Sequence, residues 1–266
     1  MPIPDVSDRS LGELVSLQGR TAVVTGGAQG LGRAIARRLA EAGASLVIGD
    51  LIEAGARSAA DDLAATFGVT ALAMPLDVAD SASIAALADT AVNQLGGIDI
   101  WVNNAGIYPS TPTLEMSDDE WNRVVRINLN GTFFGCREAA RRMVQGARGG
   151  VIVNLSSVAG IRGRGPRISH YVASKHGIIG LTQQLALEFA EDGIRVLAIA
   201  PSVMITPGIE ASPRGGQVDL ERAHAGLLGR AGRPDDVARV VLFCASDLSL
   251  FMTGSTLLVD AGEMAR

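Results

Sequence analysis

Short apolar runs alternate along the chain with longer segments in which apolar residues recur every three or four positions. The short runs predict β-strands, and the longer segments predict amphipathic helices. Runs such as Val151-Ile152-Val153 are apolar at consecutive positions, so both faces of the strand must be covered, as in a parallel sheet between helices. Strands are predicted at residues 21–25, 45–50, 70–76, 98–103, 150–155, 194–200 and 256–260. This alternation predicts an α/β fold: a doubly wound parallel sheet of about seven strands with helices on both faces.

Length and composition favour one globular domain of this kind, with 266 residues of which 47% are hydrophobic. We expect residues 1–16 to form an N-terminal extension, which is either a flexible arm or an intersubunit contact. Residues 17–266 are expected to form the cofactor-binding and catalytic domain. The net charge is −5, and the sequence contains no dense run of basic residues, which argues against binding of nucleic acid. No long apolar span or leader is seen, and the cysteines and histidines lack ligand spacing. We therefore expect a cytoplasmic protein with no membrane contact and no metal.

A glycine-rich turn, Thr25 to Gly32, joins the first predicted strand to a helix. Backbone without Cβ atoms can approach a pyrophosphate there, and N–H groups at a helix N-terminus favour the anion. Gly26, Gly30 and Gly32 are the candidates for this approach. Glycine turns also join strands to helices for folding reasons alone, so the turn by itself leaves both interpretations open.

Asp50 ends the next apolar run, 18 residues after Gly32, which favours a dinucleotide site of the Rossmann type. A carboxylate at this place accepts hydrogen bonds from ribose hydroxyls. The same charge repels a 2′-phosphate, and neither Gln29 nor Leu51 offers a compensating cation. The predicted cofactor is therefore NAD rather than NADP.

Ligands of doubly wound sheets bind beyond the carboxyl ends of the strands. Asp77 follows the third predicted strand and either caps a turn or contacts adenine. The run Asn103-Asn104-Ala105-Gly106 follows the fourth strand and either forms a plain turn or supplies a ribose wall. Asn128 shares the apolar face of a helix, so it is either a structural hydrogen-bond node or the holder of a bound water.

Tyr171 and Lys175 are four residues apart on a predicted helix and share one of its faces. An ammonium about 5 Å from a phenol favours the phenolate by roughly 3 kcal/mol at an effective dielectric near 20, which lowers the phenol pKa by about two units. Such a tyrosine can serve as a general acid or base. An interfacial tyrosine beside a solvated lysine is the alternative.

Over about residues 17–262 the chain resembles the short-chain dehydrogenase/reductase family. The resemblance is carried by Thr25–Gly32, Asp77, Asn103–Gly106, Asn128, Ser157, Tyr171, Lys175 and Pro201. It implies that Tyr171 is the acid/base on the substrate oxygen and that Ser157 polarises that oxygen. It further implies that Lys175 binds the nicotinamide ribose, that Asn128 holds a proton-relay water, and that the protein is a homotetramer.

Two positions depart from the family pattern. Ser157 lies 14 residues before Tyr171, where a spacing of about 13 is usual, and a one-residue insertion in the loop 161–170 explains this most simply. Ser156 is the less favoured catalytic serine. Pro201 is followed by Ser202, where the family more often has glycine, which predicts a small change in loop geometry.

The expected contacts follow from these assignments. Cofactor contacts are expected from Gly26, Gln29, Gly30, Leu31, Gly32, Asp50, Leu51, Asp77, Val78, Asn104, Ala105, Gly106, Tyr171, Lys175, Pro201, Val203 and Thr206. Substrate contacts are expected from Tyr108, Ser157, Ile161, His170 and Tyr171, beneath a lid at about 205–228. His170 is equally well interpreted as a packing residue. Arg162, Arg164 and Arg167 either attract an anionic substrate or form a solvated rim or subunit contact.

The favoured function is hydride transfer between NAD(H) and a secondary alcohol or ketone, with Tyr171 exchanging the proton. Short segments around Tyr108, His170 and Pro201 are similar to family members that act on secondary alcohols. The alternatives are a 3-oxoacyl thioester reductase, a sugar or polyol dehydrogenase, and a protein that senses NAD without catalysis.

Overall fold

The computed structural model describes residues 3–207 and 226–265, and these contain the predicted strands. They are β1 (Thr21–Thr25), β2 (Ser45–Asp50), β3 (Ala71–Pro75), β4 (Ile100–Asn103), β5 (Gly150–Leu155), β6 (Ile194–Pro201) and β7 (Thr256–Val259). All pairings are parallel, in the order β3-β2-β1-β4-β5-β6-β7. The strand order reverses between β1 and β4, which is where doubly wound sheets open a ligand crevice. The predicted fold class is confirmed.

Helices cover both faces of the sheet. They are α1 (Leu11–Val15), α2 (Gly30–Glu41), α3 (Glu53–Phe67), α4 (Ser81–Leu95), α5 (Asp118–Val125), α6 (Gly131–Gly146), α7 (Ser169–Glu188) and α8 (Pro234–Ala245). Single 3₁₀ turns lie at Val158–Gly160, Ala190–Asp192, Asp247–Ser249 and Glu263–Ala265, and a π turn at Arg126–Asn130 joins α5 to α6. Along β1 the side chains alternate, with Val24 packing toward α2, α3 and α8 and Val23 toward α4, α6 and α7.

The described part of the N-terminal extension contacts the domain. Ser10 and Glu13 form a capping box that begins α1. Just before it, Arg9 forms an ion pair of 2.6 Å with Asp247, and Arg20 reaches the same carboxylate, also at 2.6 Å. The extension is therefore joined to the 3₁₀ turn that follows α8.

Among the residues that the structure describes, no helix combines the length and the apolar character needed to cross a membrane. Most of the expected lid, residues 208–225, lies outside the described residues.

Candidate active site

The glycine turn between β1 and α2 has a shape that larger residues cannot adopt. Gly26 and Gly30 have φ angles of +68° and +56°. A Cβ on Gly32 would collide with the backbone oxygen of Gly26. Helix α2 begins at Gly30, and the side chain of its N-cap residue, Gln29, accepts no hydrogen bond from the first turn. The first N–H groups of the helix are therefore suited to a phosphate, so the turn fits a dinucleotide.

Asp50 lies against this turn at the end of β2. Its two carboxylate oxygens accept hydrogen bonds from Ala28 N at 3.0 Å and from Ile52 N at 2.9 Å. Leu51 beside it is 76% exposed. Arg33 is ion-paired with Asp62 on α3. The negative charge of Asp50 is thus held at the turn, while the nearby arginine is directed to another carboxylate.

The side-chain amides of Asn103 and Asn104, at the end of β4, form hydrogen bonds with other groups of the protein. Asn104 Nδ2 donates to the carbonyls of Thr25 and Gly26, at 2.9 and 3.0 Å. The Thr25 hydroxyl in turn accepts from the backbone of Asn104 and Ala105. Asn103 is buried and donates to Asn154 at 2.9 Å. Both amides therefore help to fix the sheet edge and the glycine turn. A contact of this segment with the cofactor ribose stays a prediction.

The segment after β3 also has a local structural role. The Asp77 carboxylate accepts a hydrogen bond from Ala79 N at 2.9 Å, which is the turn-capping alternative predicted from the sequence. Val78 packs against Gly131, where a Cβ would lie 2.9 Å from the Val78 carbonyl oxygen. A contact of Asp77 or Val78 with adenine stays a prediction.

Tyr171 and Lys175 meet on α7, as predicted. Lys175 Nζ lies 5.5 Å from the centre of the Tyr171 ring and donates to the Leu155 carbonyl at 2.6 Å. Burial lowers the pKa of Lys175 to about 8. Burial also raises the pKa of Tyr171 to about 12, against the opposite effect of a hydrogen bond with Ser157. Desolvation of the phenolate thus keeps the Tyr171 pKa above its ordinary value in the free protein. A lowering of this pKa by Lys175 stays a prediction.

The two adjacent serines after β5 face different partners. Ser157 Oγ hydrogen-bonds the Tyr171 phenol, caps the following turn by accepting from Ala159 N at 3.1 Å, and donates to the Pro201 carbonyl at 3.4 Å. Ser156 is buried, and its hydroxyl donates to the Lys175 carbonyl at 2.9 Å. Of the two, Ser157 is the one beside the phenol, despite its departure from the usual spacing.

Asn128 lies in the π turn and is 1% exposed. Its Oδ1 accepts from Ile107 N at 2.8 Å, and its Nδ2 donates to Ile107 O at 2.9 Å and to Ser174 Oγ at 3.3 Å. These contacts make Asn128 a hydrogen-bond node, one of the two alternatives from the sequence. A role as holder of a relay water stays a prediction.

His170 packs inside the protein, between α5 and the first turn of α7. Its side chain is fully buried, with Nε2 at 3.3 Å from Glu120 Oε1 and Nδ1 accepting a hydrogen bond from Tyr171 N at 2.8 Å. The protein partners of both ring nitrogens favour the packing alternative, and a substrate contact of His170 stays a prediction. Tyr108 and Ile161 are exposed, and the Tyr108 ring meets the Tyr171 ring edge to face, with the ring centres 4.5 Å apart.

The arginine-containing loop is attached to the C-terminal segment. Arg164 forms an ion pair with Glu263, and Arg162 donates to the Glu263 carbonyl at 3.4 Å. The carbonyl of Arg167 accepts from Thr111 N at 2.9 Å. Arg164 therefore already has an anionic partner within the chain, which favours the rim over the attraction of an anionic substrate.

The described ends of the expected lid are anchored to the domain. Met204 bridges Gly232, and Leu227 N donates to Ala261 O at 2.8 Å. Thr206 lies over the glycine turn, where a Cβ on Gly30 would be 3.6 Å from its methyl carbon. Val203 lies between Thr206 and the end of β6 at Pro201, so this segment borders the predicted cofactor site.

Sequence reasoning missed two features of the site. Lys175 is the only lysine in a chain with 23 Lys and Arg residues, a signal visible in the amino-acid sequence. Glu120 was not among the predicted site residues, although its carboxylate lies 3.3 Å from His170 Nε2. Within residues 3–207 and 226–265, no group of three or more His, Cys, Asp or Glu side chains is arranged to hold a metal.

Comparison with known proteins places this geometry in a family. A family model described as enoyl-(acyl carrier protein) reductase matches residues 26–263. The chain belongs to the short-chain dehydrogenase/reductase family. Members of the family are oxidoreductases that act on CH–OH groups with nicotinamide cofactors.

Three similar proteins illustrate its range. The chain is 43% identical over 249 residues to 3beta-hydroxysteroid dehydrogenase 1 of Eggerthella lenta, covering 92% of this chain and 94% of the relative. A short-chain type dehydrogenase/reductase from Mycobacterium marinum superposes with a TM-score of 0.91 at 33% identity, covering 97% of this chain and all of the other. A putative 2-deoxy-D-gluconate 3-dehydrogenase from Agrobacterium tumefaciens, solved with bound NADP, has a TM-score of 0.83 at 37% identity, covering 95% and 99%.

Proposed function

We propose that this protein is a dehydrogenase that transfers a hydride between NAD(H) and a secondary alcohol or ketone. The observation that carries the proposal is the contact of Tyr171 with Ser157 and Lys175 on one side of the crevice. This group lies at the same sheet edge as the glycine turn and Asp50, where a nicotinamide cofactor of the family binds.

The chain's own groups divide the work of proton transfer. With a pKa of about 12, Tyr171 holds its proton at neutral pH and donates it to a carbonyl oxygen during reduction. Ser157, which hydrogen-bonds the phenol, donates to the same substrate oxygen and orients it. The bound nicotinamide supplies or accepts the hydride. Lys175 uses one N–H on Leu155 O and keeps its remaining protons for ribose hydroxyls.

In the alcohol-oxidising direction Tyr171 accepts the proton instead. Phenolate formation is opposed by burial, so the positive charge of Lys175 is the group of this chain that offsets it. We also propose that Asn128 holds a water that exchanges this proton with solvent, as the family resemblance implies, in addition to its bonds to Ile107.

The preference for NAD rests on Asp50, whose carboxylate is held at the turn by two backbone N–H groups. A 2′-phosphate on the ribose would meet this negative charge without a compensating arginine, because Arg33 is paired with Asp62. The remaining cofactor contacts are proposed as predicted from the sequence. A cytoplasmic location is supported by the two free, buried thiols, Cys136 and Cys244, and a homotetramer by the family resemblance.

A 3-oxoacyl thioester reductase is the second candidate. The description of the matching family model, which refers to an acyl carrier protein, favours it. Such reductases are usually linked to NADPH, so Asp50 argues against it. A sugar dehydrogenase is supported by the similarity to the Agrobacterium protein, a putative 2-deoxy-D-gluconate 3-dehydrogenase.

The decisive experiment follows absorbance at 340 nm with ring alcohols, sugars, polyols, hydroxy acids and 3-oxoacyl thioesters, each with both nicotinamide cofactors. We expect turnover of a secondary alcohol with NAD, and a loss of at least about 10³-fold in kcat for Tyr171→Phe with NADH binding unchanged. Full turnover by Tyr171→Phe would overturn the mechanism. Binding of NADH without turnover of any substrate would favour the sensor alternative.

The cofactor assignment has its own test. Replacing Asp50 by Ser and Leu51 by Arg removes the repulsive charge and adds a cation, so kcat/KM with NADP should rise by about 10- to 100-fold relative to NAD. Leu51→Gln serves as the matched control, because it changes the same exposed position without charge. A wild-type enzyme that already prefers NADP would contradict the assignment.

A further inference from the structure

The backbone N–H of Tyr171 is held by a side chain within its own helix. The N-cap residue of α7, Ile168, provides no side-chain cap. Instead His170 Nδ1 accepts a hydrogen bond from Tyr171 N at 2.8 Å. An N–H group in the first turn of a helix has no intrahelical partner, so the imidazole supplies what the cap does not.

The other ring nitrogen of His170 contacts a carboxylate from α5. Nε2 lies 3.3 Å from Glu120 Oε1, and the same oxygen accepts a hydrogen bond of 2.7 Å from the Thr111 hydroxyl. The hydrogen bonds from Thr111 and His170 hold the pKa of Glu120 below its ordinary value. The carboxylate is therefore ionised at neutral pH and acts only as an acceptor.

These two neighbours determine the tautomer of the imidazole. Glu120 requires a proton on Nε2, and the N–H of Tyr171 requires a lone pair on Nδ1. A neutral ring with Nε2–H satisfies both. The opposite tautomer would direct Nδ1–H at the N–H of Tyr171 and a lone pair at a carboxylate, so two hydrogen bonds would be lost together.

A second chain of contacts reaches the carbonyl of Tyr171. Ser174 Oγ donates to Tyr171 O at 2.8 Å and accepts from Asn128 Nδ2 at 3.3 Å. Asn128 is bonded to Ile107, four residues before Thr111 in the loop after β4. Both backbone groups of Tyr171 are thus connected to this one loop, which also carries Tyr108 against the phenol ring.

We propose that Glu120 and His170 form a positioning pair that holds Tyr171 in place for proton transfer and couples it to the loop after β4. The two residues touch neither substrate nor cofactor, and they act through the backbone of Tyr171. The pair rests on the proposed role of Tyr171 as the acid/base. Because proton transfer depends steeply on the position of the donor, a small displacement of α7 at its first turn lowers the rate without weakening cofactor binding.

Glu120→Gln is the sharpest test, since it preserves size and hydrogen-bonding capacity while removing the charge. A glutamine can present either its oxygen or its NH₂ group to Nε2, so the preference for one tautomer is lost. Asp119→Asn, an exposed change of the same type in the same helical turn, is the matched control. We expect kcat of Glu120→Gln to fall about 10-fold, with substrate KM, the NADH dissociation constant and Tm equal to those of the control.

Two further readouts separate positioning from a merely structural role. The ratio of kcat in H₂O to kcat in D₂O should rise in Glu120→Gln, because proton transfer becomes slower relative to the other steps. ¹⁵N-histidine spectra should show a pure Nε2–H tautomer for His170 in the wild type and a mixture in the variant, with His170→Asn identifying the signal among the three histidines.

Substitutions of His170 itself provide the rescue experiment. His170→Leu removes both hydrogen bonds, whereas His170→Asn keeps an acceptor near the position of Nδ1. The kcat of His170→Asn should therefore be about 10-fold higher than that of His170→Leu. Unchanged kcat in Glu120→Gln, or a fall in kcat that is matched by losses in Tm and NADH affinity, would overturn the proposal. An inactive Tyr171→Phe with a fully active Glu120→Gln would reject this pair alone, whereas an active Tyr171→Phe would reject the proposed function.

Discussion

Lys175 Nζ lies 5.5 Å from the centre of the Tyr171 ring, yet it donates its short hydrogen bond to the carbonyl of Leu155. Lys175 is buried and Tyr171 is half-buried, and desolvation disfavours the charged form of each. The two residues are therefore close enough for the ammonium to stabilise a phenolate, while the free protein favours a neutral phenol.

The ionisation of Tyr171 is directly measurable, because the chain contains only two tyrosines. We expect the absorbance at 295 nm of the free wild type and of Tyr171→Phe to rise in parallel up to about pH 10.5, since the Tyr171 pKa is raised to about 12. An additional phenolate that forms in the wild type below pH 9 would contradict this.

Lys175→Met should stabilise the protein at neutral pH while abolishing turnover. The Lys175 pKa is lowered to about 8 from an ordinary value of 10.5, which corresponds to a destabilisation of about 3 kcal/mol while the ammonium is buried. Between pH 8 and pH 10.5 the unfolded chain binds the proton more tightly than the folded one, so wild-type stability rises with pH across this window. The advantage of the methionine variant is therefore largest below pH 8 and shrinks above it, as urea unfolding at several pH values will measure.

The same titration can be observed without a variant. Because Lys175 is the only lysine, a protein labelled with ¹⁵N at the lysine side chain gives one amino signal. Its midpoint should lie at about 8. A midpoint at 10 or above would show that the buried ammonium is not destabilised.

The adjacent serines should separate catalysis from stability. Ser157→Ala removes the hydroxyl beside the phenol and should lower kcat by about 10²-fold or more. Ser156→Ala removes only a buried bond to the Lys175 carbonyl and should reduce the free energy of unfolding by about 1 kcal/mol, with kcat changed no more than a few-fold. The reverse pattern, with Ser156→Ala inactive, would reassign the catalytic serine.

A pair of helical glycines tests the packing beneath the site. A Cβ on Gly135 in α6 would collide with Asn103 and would lie 2.8 Å from Trp101 Nε1. Gly135→Ala should therefore lower the free energy of unfolding by about 3 kcal/mol, because it separates a buried hydrogen-bonded pair. Gly180→Ala in α7 is the control: nothing lies within 4 Å of its Cβ position, and the change should stabilise by up to about 1 kcal/mol.

The elements of the fold were predictable because their signals are local. Strands such as β5 are apolar at consecutive positions, and the spacing of Tyr171 and Lys175 alone places both on one helical face. The glycine turn and Asp50 were likewise found from chain order and spacing.

The environment of each side chain was not predictable in this way. His170 contacts Glu120, which lies fifty positions earlier in the chain, and no local pattern indicates that contact. The Tyr171 pKa was predicted from one charge at an assumed dielectric, whereas the enclosure of the phenol by its neighbours has the larger effect. The protein partners of the Asn104 amide, the carbonyls of Thr25 and Gly26, lie at the end of another strand, so chain order does not indicate them.

Helices α5 and α6 follow each other almost without interruption, and the π turn at Arg126–Asn130 between them determines which faces of the two helices point in the same direction. Successive residues of an α-helix are rotated by about 100° around its axis. Deleting one residue to convert the π turn into regular α-helix would therefore rotate α5 relative to α6 by about that angle. Glu120, before the turn, and Asn128, within it, would then no longer face the same helix. A variant in which the π turn is removed to increase thermal stability would thus lose one of the two chains of hydrogen bonds that hold Tyr171. This turn is therefore a poor target for stabilising substitutions.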